Sequence, residues 1–311
     1  MRYLYPNFPT PKLGGLIRVS GPGLGNLLFD YAETIVLADQ IGNCKIIWPT
    51  WWSIKIGTFL RRERDKRLYL DLFKNDGSYI SGVEKIKLLL FKHKICTDDF
   101  FNDQASFTED SVLMCSKYPY SFVNITGKSE LIWQHLLTIT REKHKNALKE
   151  DFRNVVGIHV RLGDFVQGDT EGIKTGQQSR SMPVSWYCKV VDSLSDILGK
   201  GIKYYVFSDA SDLELQDLLN KSNVERKFYG SALGDMIALQ QCKIIVSTLS
   251  SFALWAIFGG ADIWITYPSF ITNELAEGLE ANRENFVAIG SEIGAFSTDQ
   301  QQEIKGIFLK K

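Results

Sequence analysis

Residues 155–165 read VVGIHVRLGDF, an unbroken apolar and mostly β-branched run that stops abruptly in His159, Arg161, Gly163 and Asp164. A run this short and this apolar predicts a strand covered on both faces, the kind found in parallel sheets. In open parallel sheets a ligand lies beyond the carboxyl ends of the strands, where the polar residues following Val160 are placed. Arg161 offers a planar fork of donors matched to two phosphate oxygens, and it keeps its charge at any working pH. Gly163 lets backbone approach a ligand closely. The competing reading is local: an ion pair between Arg161 and Asp164 that shapes the turn, with His159 packed below it.

Outward from this stretch the C-terminal half alternates. Strands are expected at 203–208 (KYYVFS), 224–228, 244–246, 263–266 and 286–289, with helices at 183–198, 212–220, 235–242 and 252–258. Such alternation implies a parallel sheet wrapped on both faces. Three strand ends then converge, the first carrying Arg161, the second Asp209, the third Ser250 and Ser251. An arginine with hydroxyls at a helix N-terminus makes an anion site. A carboxylate beside them can accept from a guanine N1–H and its exocyclic amine. Taken alone, Asp209 reads equally well as a helix cap.

In the N-terminal half, residues 16–20 (LIRVS) read as a strand running into GPGLGN at 21–26, followed by apolar residues at helical spacing that end at Gly42. Strand, glycine-rich loop and helix form the context of a phosphate or sugar cradle, and also of a plain tight turn. The loop has no third glycine of a dinucleotide fingerprint and no Gly-Lys-Ser/Thr. A strand resumes at 46–48. From 51 to 101 the pattern dissolves: Trp51, Trp52, Phe59 and Tyr69 are interleaved with Lys55, Arg61, Arg62, Arg64, Lys66 and Arg67. That mixture serves either as a surface for sugars or anionic lipid headgroups or as a solvated helix face with Glu63 and Asp65 as local partners. Residues 131–149 read as a helix bridging to the second half.

A chain of 311 residues exceeds what one core usually supports, so two domains are expected. A net charge of zero argues against a nucleic-acid partner. Residues 1–150 nevertheless hold 21 Lys and Arg against 16 Asp and Glu, and residues 151–311 hold 15 against 20, which fits two domains with different partners. Five cysteines, an odd number without metal-ligand spacing, point to a reduced compartment with neither a disulfide frame nor structural zinc. Prolines 6, 9 and 11 interrupt what a signal peptide would need as an apolar core. Residues 244–261 approach the length of a membrane span, but their serines and glycines favour buried strand, loop and helix.

GPGLGNLLFDYAETIVLADQIG, GIHVRLGDF, MPVSWYCKVVDSL, YYVFSDAS and DMIALQQCKIIVSTLSSFALWAIFGG, in this order and spacing, resemble the α-1,2-fucosyltransferases of glycosyltransferase family 11. The resemblance is strongest over 152–268, returns at 21–42, and is not apparent over 50–150. It implies a GT-B architecture: an α/β protein of two Rossmann-like domains with parallel sheets facing across a cleft. These would be an acceptor-side domain at 1–150, a GDP-sugar-binding domain at 151–295 and a tail at 296–311. It also implies transfer of L-fucose from GDP-β-L-fucose, with inversion and no metal or other cofactor, to a glycan hydroxyl, O-2 of a galactose. By the same resemblance Arg161 binds the β-phosphate, Asp209 lies in the guanine-recognition segment, and Ser250 and Ser251 lie in the diphosphate-binding one. Gly25 and Asn26 belong to the N-terminal glycine loop facing the donor, and His159 shapes the nucleotide site. Two departures stand out: Leu162 replaces a second arginine common in relatives, leaving Arg18, Lys174 or Arg180 to substitute, and Leu27 replaces a glutamine. The expected setting is cytoplasmic, peripheral to the inner face of the membrane, with an oligosaccharide acceptor on a lipid carrier and no nucleic acid. Transfer of another GDP-sugar, or non-catalytic binding of a nucleotide sugar or glycan, are the competing readings. A dehydrogenase fits least, since no acidic residue ends the strand at Trp48.

Overall fold

The computed structural model describes residues 1–310 apart from Ser20, 54–67, 105–106, 117–119, 164–165, 168–172, 175–179 and 283–284. The chain divides into two compact units, Met1–Glu142 and Lys143–Lys311.

The N-terminal unit runs β1 (Arg2–Pro6), α1 (Leu24–Ile41), β2 (Cys44–Ile46), α2 (Gly82–Phe91), β3 (His93–Cys96), α3 (Thr97–Asn102), β4 (Ser111–Cys115) and α4 (Ser129–Ile139). Its sheet has the order β2-β1-β4-β3, with every pairing parallel. Because consecutive strand residues face opposite sides, Leu4 and Leu113 enter one core with Leu37, Ile95 and Phe107. Tyr5 and Val112 enter the other with Ile47, Leu88 and Leu89.

Two expectations fail in this unit. Residues 16–20 are not a strand of the sheet. Ile17–Arg18 only pair antiparallel with Pro11–Lys12, because Arg18 turns inward and is fastened by its side chain to the carbonyls of Pro9, Thr50 and Trp51. The helix expected over 131–149 stops at Ile139. Thr140 takes an extended conformation and bridges Phe73, so the backbone bonds Lys74 N–H to Ile139 O and Arg141 N–H to Leu72 O replace the helical ones. Short 3-10 turns follow at Glu142–His144 and Asn146–Lys149. The basic residues Lys55, Arg61, Arg62, Arg64, Lys66 and Arg67 lie outside the described residues, as does Phe59. Trp51 is core rather than a sugar platform, packed on Phe8, Tyr31 and Phe73.

The C-terminal unit runs β5 (Val155–Val160), α5 (Val184–Leu198), β6 (Lys203–Ser208), α6 (Gln216–Leu219), β7 (Val224–Arg226), α7 (Ala232–Gln240), β8 (Ile244–Ser247), α8 (Ser251–Gly260), β9 (Ile263–Thr266), α9 (Asn273–Glu280), β10 (Val287–Gly290) and α10 (Thr298–Leu309). All six strands are parallel in the order β7-β6-β5-β8-β9-β10. Counted along the chain this is 3-2-1-4-5-6, the Rossmann order, and the winding reverses between β5 and β8. Residues 244–261 are β8, a loop and α8, and no helix among the described residues is long and apolar enough to cross a membrane. Residues 296–311, expected as a tail, contain α10, which opens with a Ser297/Gln300 capping box and is tied to β10 by Gln300 Nε2 donating to Gly290 O at 3.2 Å. The α/β class of the GT-B kind is therefore met by two units, each built on a parallel sheet.

Candidate active site

Every residue of β5 is buried, so its first exposed side chains come where the strand ends. There Arg161 follows Val160, beside Asp209 at the end of β6 (Ser208 pairs with Val160) and the loop leaving β8 (Ser247 pairs with His159). Arg161, Asp209, Ser250 and Ser251 thus share the carboxyl edge of three adjacent strands, at the reversal point where such sheets bind ligands. Arg161 Nη1 lies 2.7 Å from Asp209 Oδ2. The Leu162 N–H donates to Asp209 Oδ1 at 3.0 Å. A Cβ on Gly163 would sit 2.5 Å from Asp209 Oδ2, so the close approach that Gly163 permits is that of a carboxylate, not of a ligand. Each Asp209 oxygen accepts one hydrogen bond from the β5 loop, so Asp209 ties β6 to that loop rather than capping a helix. Asp164, the local partner considered for Arg161, lies outside the described residues.

Arg226, at the end of β7, had no motif to announce it. Its Nη2 donates to Ser208 O at 3.1 Å and to Ala210 O at 2.6 Å, the two carbonyls flanking Asp209, while Nη1 pairs with Asp212. A guanidinium carries enough donors for all three, and the loop holding Asp209 is fixed on both sides. The only sequence trace was an arginine closing a short edge strand.

His159 lies beneath this layer, buried, with its ring stacked 4.9 Å from that of Phe252 and its Nδ1 without a hydrogen-bond partner among the described residues. Burial first, then the Arg161 charge, pull its pKa down to about 4, against a smaller opposing pull from Asp209. It is therefore neutral at neutral pH and serves as packing rather than a proton carrier. Unfolded, the same imidazole titrates near 6.5, so between those values the unfolded chain binds a proton that the folded one does not. Stability contributed by His159 is complete above about pH 6.5 and is lost as the pH falls towards 4, with a slope of up to about 1.4 kcal/mol per pH unit. The stability of wild type relative to His159→Phe, from denaturation midpoints between pH 7.5 and 5, should accordingly fall as the medium acidifies. Parallel curves would refute a buried neutral imidazole.

Ser250 is the N-cap of α8, yet no side chain caps the helix. By contrast Ser231, Thr272 and Ser297 cap α7, α9 and α10 through their side chains. The first N–H groups of α8 and the positive end of its dipole thus meet the carboxyl edge beside Arg161. The helix is anchored by Leu254, Trp255, Ile257 and Phe258, all buried. At about 1.5–3 kcal/mol for each such side chain, its N-terminus is a fixed feature.

Gly25 and Asn26 belong to the N-terminal unit, in the first turn of α1, whose N-cap is Gly23 and which has no side-chain cap. Gly21 has φ +107°, and a Cβ there would lie 2.9 Å from Thr10 Oγ1 and 3.2 Å from Arg18 Nη2. Arg18, 1% exposed, donates from Nε and Nη1 to the carbonyls of Pro9, Thr50 and Trp51 in its own unit. Lys174 is exposed, and the Arg180 side chain is outside the described residues. No three His, Cys, Asp or Glu side chains among the described residues gather as metal ligands.

The model of glycosyltransferase family 11 matches residues 83–288, more than half of the chain. The match reaches into 83–150, where no motif was legible, and leaves the glycine loop at 21–26 outside. No protein of curated function matches the sequence. Among solved structures, the fucosyltransferase NodZ from Bradyrhizobium aligns at 14% identity and a TM-score of 0.46, over 83% of this chain and 93% of that one. POFUT1 in complex with GDP-fucose aligns at 9% and 0.46, over 94% and 98%. ADP-heptose LPS heptosyltransferase II of E. coli aligns at 13% and 0.47, over 99% of both. Identities this low say nothing of substrate.

Proposed function

Because the chain belongs to glycosyltransferase family 11, we propose that it transfers L-fucose from GDP-β-L-fucose to a glycan hydroxyl, O-2 of a galactose, with inversion and without a metal. The observation that carries this reading is the placement of Arg161 and the uncapped α8 N-terminus on adjacent strand ends at the reversal of a 3-2-1-4-5-6 sheet.

The acceptor oxygen forms a bond to fucose C1 as the bond from C1 to the β-phosphate oxygen breaks. GDP leaves with the electron pair, and the acceptor's proton passes to solvent water. Charge gathers on the departing diphosphate, so donors already aimed there stabilise the transition state more than the ground state. Arg161, oriented through the hold of Asp209 on Nη1, meets one phosphate, and Ser250, Ser251 and the α8 N–H groups receive the second. Asp209 orients Arg161 in this scheme. Each Asp209 oxygen keeps acceptor capacity beyond the Arg161 and Leu162 donors, and the guanine-recognition role implied for Asp209 would use it. Gly25 and Asn26 keep the donor-binding role that the resemblance implies. The acceptor is an oligosaccharide on a lipid carrier in surface-polysaccharide synthesis, placing the enzyme in the cytoplasm at the inner membrane face, which cell fractionation checks.

Calorimetric titration with GDP, and with ADP as control, in EDTA tests the donor site. Heat from GDP alone is expected, and equal or absent heats would remove the assignment. Leu162 in place of a second cation supports one other reading, a different GDP-sugar, and faster hydrolysis of GDP-mannose than of GDP-fucose would select it.

A further inference from the structure

Helix α2 is apolar on two sides. Leu88 and Leu89 face the core of the N-terminal unit, whereas Val83, Ile86 and Leu90, spaced as one stripe, are 68, 43 and 47% exposed, and Phe91 at the helix end is 81% exposed. A helix on a solvated surface normally turns charged side chains outward. The turn Leu13–Gly15 packs on α2, since a Cβ on Gly14 would lie 3.0 Å from Leu89 O and 3.4 Å from Lys94 Nζ, and Leu13 in that turn is itself 66% exposed. Leu13 holds φ +48°, a conformation that leucine avoids.

The charges around the stripe indicate what covers it. Residues 82–94 carry Lys85, Lys87, Lys92 and Lys94 against Glu84. Lys85 turns inward to Trp48 O and Thr50 Oγ1, and Lys92 is held by Asp110 at 2.7 Å. Lys87 and Lys94 are exposed, with no carboxylate partner among the described residues. An open groove of about 550 Å³ runs between Lys87, Leu88, Phe91, Lys92 and Asp110.

The geometry points to this face, α2 with Leu13, as a docking surface for a membrane containing anionic lipid. Val83, Ile86, Leu90, Phe91 and Leu13 enter the headgroup–acyl boundary while Lys87 and Lys94 meet lipid phosphates, the division of labour of interfacial amphipathic helices. A second copy of the chain fits less well, since an isologous contact would set lysines against lysines. The proposal stands whether or not the donor reading does.

The test is co-sedimentation of the full chain with vesicles of phosphatidylglycerol and phosphatidylcholine, and with phosphatidylcholine alone. Wild type should bind the anionic vesicles, with affinity falling as salt rises, and bind the neutral ones weakly. Leu90→Asp/Phe91→Asp should weaken binding about tenfold or more, and Lys87→Gln/Lys94→Gln should remove most of the salt dependence. Both pairs are exposed, and an unchanged GDP titration and denaturation midpoint would show that the variants remain folded. Undiminished vesicle binding by Leu90→Asp/Phe91→Asp would overturn the proposal, as would equal binding to neutral vesicles, or a lipid-free dimer in analytical ultracentrifugation that the same variant dissolves. Vesicle binding without any GDP binding would leave the docking surface standing and the donor reading fallen.

Discussion

Arg161→Ala is expected to lower fucosyl transfer by about a hundredfold or more while the protein stays folded, because removal of one preorganised donor to a developing anion typically costs about 2.7–4 kcal/mol of barrier. Loss of the Arg161–Asp209 pair should cost little stability by comparison. Its side chains are 20 and 25% exposed, and ion pairs in contact with water contribute only about 0–1 kcal/mol. Arg161→Lys separates charge from shape: it restores the cation but has a single nitrogen where the arginine fork serves Asp209 and a phosphate together, so it should recover only a minor part of the rate. Asp209→Asn keeps an acceptor for the Leu162 N–H and loosens the hold on Nη1. If Asp209 works through Arg161, the losses in Arg161→Ala and Asp209→Asn will not add in the double variant. Single-turnover rates with radiolabelled GDP-fucose, alongside denaturation midpoints, read both quantities. Near-wild-type transfer by Arg161→Ala would remove Arg161 from the site.

The pairing that matters most to this prediction could not be read along the chain. VVGIHV was legible as a strand because both its faces are buried and neither needs a polar residue, and KYYVFS and KIIVS likewise. The convergence of Arg161, Asp209 and Ser250 then followed from the alternation of strand and helix. The contact between Arg161 and Asp209 depends on β6 lying directly beside β5 in register, which no local pattern encodes. Arg226 was missed for the same reason, since it acts on carbonyls across the β6–β7 pairing. In the N-terminal unit β1 begins with Arg2 and ends at Pro6, so its apolar core is too short to announce a central strand. The LIRVS segment looked more like a strand but spends Arg18 on buried carbonyls instead. The exposed face of α2 illustrates the converse: it lies within 51–101, where the pattern dissolves, and only solvent exposure distinguishes Leu88 from Leu90.

Gly260→Ala should be the most destabilising single-methyl change in the C-terminal unit. The glycine ends α8, where a Cβ would stand 1.6 Å from the Gln240 carbonyl oxygen and 2.7 Å from its carbon. Those are backbone atoms at the end of α7, so no side-chain rotation relieves the overlap and the two helices must separate. The gap cannot open locally, since Gln240 Nε2 donates to Gly259 O at 3.0 Å, Leu239 and Ala261 on either side are fully buried, and Asp262 N–H is bound to Lys243 O at the start of the paired strands β8 and β9. Overpacking in interiors typically costs about 1–3 kcal/mol and occasionally more, and a clash with backbone belongs at or above the top of that range. Gly306→Ala, on α10 with no atom within 4 Å of the added carbon, is the control, expected to be neutral or slightly stabilising through helix propensity. Because α8 carries Ser250 and Ser251 at its other end, any soluble Gly260→Ala protein should also bind GDP more weakly, while Gly306→Ala binds as wild type does. Equal denaturation midpoints for the two variants would mean that α7 and α8 do not meet at Gly260 as described, and would withdraw the rigid α8 N-terminus on which the diphosphate site depends.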